Sequence, residues 1–347
     1  MSATIKDIAR ETGLSLSTIS KYLNNKSIQE QNKLLIEEAI RKLDYRPNRI
    51  AQSLRSERTM TVAVLLPDLG NYFWGDLVYS IASFFAELDY IVIECAYNYD
   101  STAEREMLNY LAAKKVDGVI LLPVNEEDTM YTSLQEMKIP VVFVDQYPAF
   151  LERHPVDVVQ SDNENGGKKL AEYLISKGHR RIGIISPAEY SSTISDRIEG
   201  FREGCRNTEE IDLRCSAPVR FIVKDEVVMD RAKDFFREMM SVDDPPTAIF
   251  CTNYITAMGV FVEAANMGIP IPGGVSVICY DDDPIFRSMA SPITCAAQEL
   301  KRMGETASKI LAKRMNGDWS DFPAVRTVDV SFHERESVRD LNADPAK

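Results

Sequence analysis

From Thr61 onward the chain alternates short apolar runs with amphipathic stretches of helical length, and no other feature restricts its fold as much. TVAVLLP is followed by the stretch 73–87, IVIEC by 102–115 and DGVILLP by 127–137, and VVFVD closes the series. Apolar runs without polar alternation are strands buried on both faces. Joined through helices, such strands form parallel sheets covered on both sides. A second series keeps the rhythm: VDVVQSD, a helix over 163–177, RIGIIS, a helix over 195–206, RFIV, a helix over 225–240, TAIFC, a helix over 254–267, and VSVICYD. Two Rossmann-like halves of roughly 100 residues each are the economical reading. One more helix over 300–315 and a strand-like VRTVDVSFHE follow.

The residues before this body read differently. Ile5, Ile8 and Ala9 form one helical face that Gly13 stops, and Ser15 is a good N-cap for a second helix carrying Ile19 and Leu23 before Asn24 and Asn25 break it. A third helix is expected from a Ser27 to Glu30 capping box, with Ile36, Ala39, Ile40 and Leu43 on one face and Pro47 as its end. The following NRIAQSLRSERT is helix-compatible but too short and polar to hold a helix alone. The fold class is thus an all-α head on an α/β body.

Charge divides at the same place. Residues 1–58 carry 11 Lys/Arg against 7 Asp/Glu, net +4, while the rest carries 29 against 46, net −17. A basic head on an acidic body marks a nucleic-acid-binding module. The six cysteines lie far apart with no C-x-x-C pair, so they read as ordinary core thiols of a reduced, cytoplasmic chain, and no metal site is expected. No apolar run is long enough to cross a membrane, and MSATIKDIAR lacks the apolar stretch of a signal peptide. Enzyme motifs are missing as well. There is no G-x-S-x-G or H-E-x-x-H, and Gly166-Gly167-Lys168-Lys169 lacks the earlier glycine of a phosphate loop, so neither catalysis nor a cofactor is expected.

TIKDIARETGLSLSTISKYLN has the layout of a helix-turn-helix, with Gly13 at the turn and Ser15, Ser17, Thr18, Ser20, Lys21 and Asn24 on the second helix. Periodicity alone equally allows a solvated face on a small helical domain. The same stretch, together with YRPNRIAQSLRSERT, SDNENGGKKLAEYLISKGHRRIGIIS, DRIEGF, and VSVICYDDDP followed by SPITCAAQE, resembles the LacI/GalR family of bacterial transcription regulators. The resemblance implies that the second helix enters the major groove of DNA. Leu16, Ser17 and Lys21 then match base-reading positions, and Ser15, Thr18, Ser20 and Asn24 match phosphate contacts. Thr4 and Tyr45 join the DNA-binding set on the same ground. Lys21 departs from the arginine most members carry, and a lysine lacks that planar fork. In the hinge, Ala51 lets two helices approach, Leu54 matches an apolar wedge in the minor groove, and Asn48 and Arg55 flank it.

For the body, the resemblance implies two lobes like those of type I periplasmic sugar-binding proteins, with a ligand cleft between them and three crossing segments. Ligands of open α/β sheets bind beyond the carboxyl ends of strands. Asp145, Asn253 and Asp281 stand at such ends, and Arg197 in SDRIEGF is a fourth effector-binding candidate. Tyr72 and Phe73 match positions where the family stacks ligand rings, and Gln298 is a further candidate. Most members have an aspartate after the asparagine matched by Asn253, whereas this chain has Tyr254.

The expected organisation is a helix-turn-helix domain over 1–46, a hinge over 47–59, and an effector-binding and dimerisation domain over 60–340. Its N-lobe is expected over about 60–160 and 293–320, and its C-lobe over about 161–290 and 323–338. The function implied is that of a homodimeric repressor on a near-palindromic operator in double-stranded DNA, controlled by a small effector, with a sugar or polyol expected. A sugar-binding receptor without a DNA role and a sugar-processing enzyme are the alternatives.

Overall fold

The computed structural model describes residues 3–23, 27–45, 58–70, 74–123, 138–147, 154–186, 191–215 and 225–343. They divide into two compact units at Met60. In the first, α1 (Ile5–Thr12), α2 (Leu16–Leu23) and α3 (Glu30–Lys42) enclose a core of Ile8, Ile19, Ile36, Ala39 and Tyr45. Gly13 ends α1 in the left-handed region, φ 69°, and returns its N–H to the Ala9 carbonyl, a conformation that suits a residue without a β-carbon.

The third helix departs from expectation at both ends. It begins behind Gln29 rather than at Ser27, which lies three residues before the first helical position, too early to cap it. It also stops at Lys42, well before Pro47. Asp44 turns left-handed, φ 43°, and the Tyr45 N–H reaches the Ile40 carbonyl, so this turn and not the proline closes the helix.

The second unit contains two six-stranded sheets. The first has the order β11-β5-β4-β3-β1-β2, from β1 (Thr61–Leu66), β2 (Ile91–Ala96), β3 (Gly118–Leu121), β4 (Val141–Val144), β5 (Asp157–Ser161) and β11 (Val325–Val328), all parallel. Side-chain alternation divides its core in two. Val62 and Val64 pack with Leu77, Ile81 and Phe85 of α4 (Gly75–Ala86) and with Met303 and Leu311 of the last helix, while Ala63 and Leu65 face Leu108 and Leu111 of α5 (Ser101–Ala113). The helix expected over 127–137 lies outside the described residues.

The second sheet has the order β12-β10-β9-β8-β6-β7. Its members are β6 (Arg181–Ile185), β7 (Asp212–Cys215), β8 (Ala248–Cys251), β9 (Ser276–Tyr280), β10 (Thr294–Ala297) and β12 (Ser331–His333), and β12 alone pairs antiparallel. On one face lie α6 (Asn163–Ser176) and α7 (Ser192–Cys205), and on the other α8 (Asp225–Met240) and α9 (Tyr254–Asn266), and the short α10 (Pro284–Arg287) follows β9. The RFIV strand expectation lies outside the described residues. Beside β6 lies β7, a half-exposed strand whose DLRC carries no apolar run to announce it.

The lobe boundaries require correction. The 293–297 segment, expected in the N-lobe, forms β10 of the second sheet, and 325–328, expected in the C-lobe, forms β11 of the first. Only α11 (Leu300–Met315) between them packs on the first sheet. The strand-like VRTVDVSFHE is therefore two short strands in different sheets. The chain passes between sheets three times, after β5, after β10 and after β11, which is the number of crossings the family resemblance implies. The cysteine expectation also needs amendment, since Cys215 is exposed and Cys95 half-buried.

His179 fastens the C-terminal segment to the second sheet. It is fully buried, with Nδ1 at 2.9 Å from Thr247 Oγ1 and Nε2 at 3.1 Å from the Arg339 carbonyl. Burial pushes its pKa from 6.5 down to about 4, so the folded protein holds it neutral. The unfolded chain takes up a proton that the folded one refuses. The stability from this neutral imidazole is complete above pH 6.5 and is lost as pH falls toward 4, by up to about 3 kcal/mol. Urea midpoints at pH 7 and 4.5 should fall more steeply for the wild type than for His179→Gln. Parallel lines would remove His179 as the cause.

Candidate functional site

Two places gather the residues singled out by sequence. On the head, Ser15 caps α2 by accepting the Thr18 N–H at 3.2 Å, and the two hydroxyls lie 2.9 Å apart. Ile19 is wholly buried beneath the helix, which turns Leu16, Ser17 and Lys21 outward, with Ser20 half-buried beside them. Leu16 is 47% exposed, an apolar side chain with no core duty. Thr4 is exposed and gives both its N–H and its hydroxyl to Asp7, at 2.9 and 2.7 Å. Tyr45 is placed differently from the other DNA-binding candidates, because it helps close the head's core. Asn24, Asn48, Ala51, Leu54 and Arg55 lie outside the described residues.

The other place is where strand ends of the two sheets meet. Asp145 follows β4 and Asp281 follows β9, both buried, and both have positive φ, 71° and 85°. Such a conformation is uncommon for residues with a β-carbon, and aspartate tolerates it better than most. It concentrates at sites where the surrounding structure dictates the backbone. Arg197, in the second turn of α7, is only 2% exposed. Its Nε donates to Asn163 Oδ1 at 3.0 Å, and its Nη1 donates to the Thr252 carbonyl at 2.8 Å and to Asp281 at 3.4 Å. The guanidinium lies 3.9 Å over the Tyr280 ring. Gly166 makes room for that ring, since a β-carbon there would come within 2.6 Å of it.

Gln298, in the segment that crosses between sheets, donates to Asp281 Oδ1 at 2.9 Å and accepts from the Ser161 hydroxyl at 2.7 Å. Both oxygens of Asp281 are thus engaged. Asp145 differs, because its Oδ1 is buried with no hydrogen-bond partner among the described residues. Burial drives the Asp145 pKa up to about 6, Arg197 draws it down, Asp281 raises it again, and a side-chain hydrogen bond from Gln298 lowers it. Asp281 is also raised, by burial, against the pull of Arg197 and Gln298.

Three hydrogen bonds join the end of β4 to the start of α7, and so one sheet's layer to the other's. The Thr193 hydroxyl donates to the Asp145 carbonyl at 2.9 Å, the Tyr147 N–H to Ser192 Oγ at 3.1 Å, and the Tyr147 hydroxyl to Asp196 at 3.3 Å.

Four of the sequence candidates, Asp145, Arg197, Asp281 and Gln298, therefore converge. Asn253 stands nearby in the chain at the end of β8, but its Oδ1 caps α9 by accepting the Thr256 N–H at 2.9 Å. Tyr254, where the family favours aspartate, is buried in the core beneath that helix. Tyr72 and Phe73 lie outside the described residues. Asn163, Tyr280, Ser161 and Thr193 were not singled out by sequence. The strand-end rule that selected Asp145 applies equally to SDN and would have found Ser161 and Asn163. Tyr280 carried no signal beyond that of a core strand.

Residues 4–48 match the bacterial regulatory proteins of the lacI family, and residues 171–338 match the periplasmic binding protein-like domain. The HTH-type transcriptional repressor PurR of Photobacterium profundum is 28% identical over 342 residues, covering 98% of this chain and 100% of that protein. Among solved structures, the lac repressor dimer bound to operator and the anti-inducer ONPF is similar with a TM-score of 0.82 at 22% identity, covering 98% of this chain and 100% of that one. A LacI family transcriptional regulator from Enterococcus faecalis V583 with bound ribose has a TM-score of 0.69 at 26% identity, covering 81% of this chain and 99% of that one.

Proposed function

The chain belongs to the lacI family of bacterial regulatory proteins, and from that premise we propose that it is a homodimeric, cytoplasmic repressor whose hold on a near-palindromic operator is set by a sugar or polyol bound between its two lobes. Regulators of this family bind DNA and are not enzymes. The observation that carries the effector reading is the meeting of Asp145 from the first sheet with Arg197 and Asp281 of the second. A ligand held by all three would bridge the lobes and shift their balance. Two aspartates and Gln298 accept hydrogen bonds from hydroxyl groups, the Arg197 guanidinium donates, and Tyr72 or Phe73 would cover an apolar sugar face. Purine-responsive relatives are expected to place a second arginine shortly before the position of Arg197, and YSSTISD has none. No helix among the described residues is long and apolar enough to cross a membrane.

On the DNA side, Leu16, Ser17 and Lys21 are the base readers in this reading. Ser15, Thr18, Ser20, Asn24 and Thr4 are phosphate contacts, with Tyr45 held by the core beside them. Leu54 acts as the minor-groove wedge, with Asn48, Ala51 and Arg55 around it. Two-fold pairing of the chain dictates the two-fold operator.

The test is selection of bound duplexes from a random pool, with and without ribose, cellobiose, polyols and purines. A two-fold motif whose recovery changes with a sugar supports the reading, and an asymmetric motif or a response to purines alone would reject it. On the selected operator, Lys21→Ala should relax preference at one base pair per half-site by about 1–3 kcal/mol and spare the others. Equal loss on every sequence, measured by fluorescence anisotropy at fixed salt, would make Lys21 a phosphate contact instead.

A further inference from the structure

One carboxylate oxygen of the proposed effector site has no hydrogen-bond partner among the described residues. Asp145 is 5% exposed, sits at a strand end in a left-handed conformation, and directs a buried Oδ1 at no donor among the described residues. Its backbone carbonyl is already taken by Thr193. A buried anionic oxygen without a donor costs more than almost any other single polar defect, and the cost disappears if the oxygen receives a proton or a ligand's donor.

No hydrogen bond from the described neighbours reaches Oδ1. The charged and titratable groups around Asp145 among the described residues are Arg197 on α7, Asp281 beyond β9 and Tyr280 within β9, with the neutral amide of Gln298 after β10. Arg197 gives its Nε N–H to Asn163 and its Nη1 to the Thr252 carbonyl and Asp281, and it lies against Tyr280. Gln298 gives its amide N–H to Asp281. Asp281 is a second carboxylate, and its field opposes a second negative charge.

Resting on the effector reading above, we infer that the empty cleft stores a proton on Asp145 and that a hydroxyl- or amine-bearing effector displaces it, so that effector binding is coupled to pH. An effector donor aimed at Oδ1 stabilises the ionised carboxylate, and binding then releases the proton to solvent. Affinity accordingly rises with pH up to the titration of Asp145, near pH 6, and levels off above it. Below that point it falls by at most about tenfold per pH unit. A ligand presenting a carboxylate or phosphate to the same oxygen adds a third anion and is excluded.

The carboxyl can be followed without any ligand. Thermal unfolding of wild type and Asp145→Asn from pH 5 to 8 should show the variant gaining melting temperature over wild type as pH rises through about 6, because only the wild type must bury a charge there. A pH-independent difference would overturn the stored proton. In a second arm, calorimetry with ribose and with cellobiose at pH 6, in buffers of unlike ionisation enthalpy, should show release of about half a proton from the wild type and none from Asp145→Asn. Sugar binding without proton release would overturn the coupling. Failure of every sugar to bind would count against the effector reading, while the ligand-free arm still decides the protonation of Asp145.

Discussion

Replacing Arg314 with alanine is expected to lower the unfolding free energy by about 3–5 kcal/mol, the largest stability loss among the substitutions considered. The Arg314 side chain is fully buried, and its Nε and Nη2 hold the two oxygens of Asp157 at 2.8 and 2.9 Å. Its Nη1 reaches Asp321 at 2.7 Å and the Asp318 carbonyl at 2.8 Å. Asp157 opens β5 and also accepts the Ala324 N–H at 2.7 Å, one residue before β11. One guanidinium therefore ties α11, β5 and β11 together where the chain returns to the first sheet.

Alanine would leave a buried carboxylate facing no counter-ion, and the loss would be mostly that penalty rather than the worth of the pair. The double variant Asp157→Asn/Arg314→Met should recover a large part of it, because the amide still accepts from Ala324 and no charge remains buried. Denaturant unfolding of wild type, Arg314→Ala and the double variant gives the answer. A loss under about 1 kcal/mol for Arg314→Ala would place the network among ordinary surface ion pairs.

Arg197→Ala carries the largest expected functional effect. It removes the guanidinium of the proposed effector site, together with the donors that orient Asn163 and Asp281. Four interactions of that guanidinium are charge-assisted or stacked, each worth about 1.5 kcal/mol or more in a buried site. Sugar affinity is expected to drop by about two orders of magnitude or more, and the effect of sugar on operator affinity to vanish with it. Arg197→Lys should recover little, since an ammonium cannot both fork across two acceptors and lie flat on Tyr280. Operator affinity without sugar should stay within a few-fold of wild type, which separates a lost effector site from a misfolded body. Sugar binding unaltered in Arg197→Ala would remove this residue from the site.

The limits of reading such a chain without coordinates show in particular residues. Runs such as TVAVLL and AIFC become parallel strands because their apolar content is local and continuous, and the Gly13 turn and Ser15 cap act within four residues of themselves. The meeting of Asp145 and Asp281 was legible through one topological rule, that polar residues at strand ends face a common crevice, whereas Arg197, within a helix, was singled out separately in SDRIEGF. Other features depended on contacts between residues distant in sequence. VRTVDVSFHE has one β pattern, yet its halves enter different sheets, because each pairs with whichever edge, β5 or β10, the preceding crossovers left open. Asn253 has the residue type and position of a ligand contact, but its acceptor closes a helix. The Asp145 oxygen without a partner among the described residues lies beside Arg197 and Gln298, 52 and 153 positions away, which direct donors to Asp281. Propensity, caps and hydrophobic period act over a few residues and so can be read along the chain. The satisfaction of a buried polar group is decided by every element packed around it, and only the assembled tertiary structure brings those elements together.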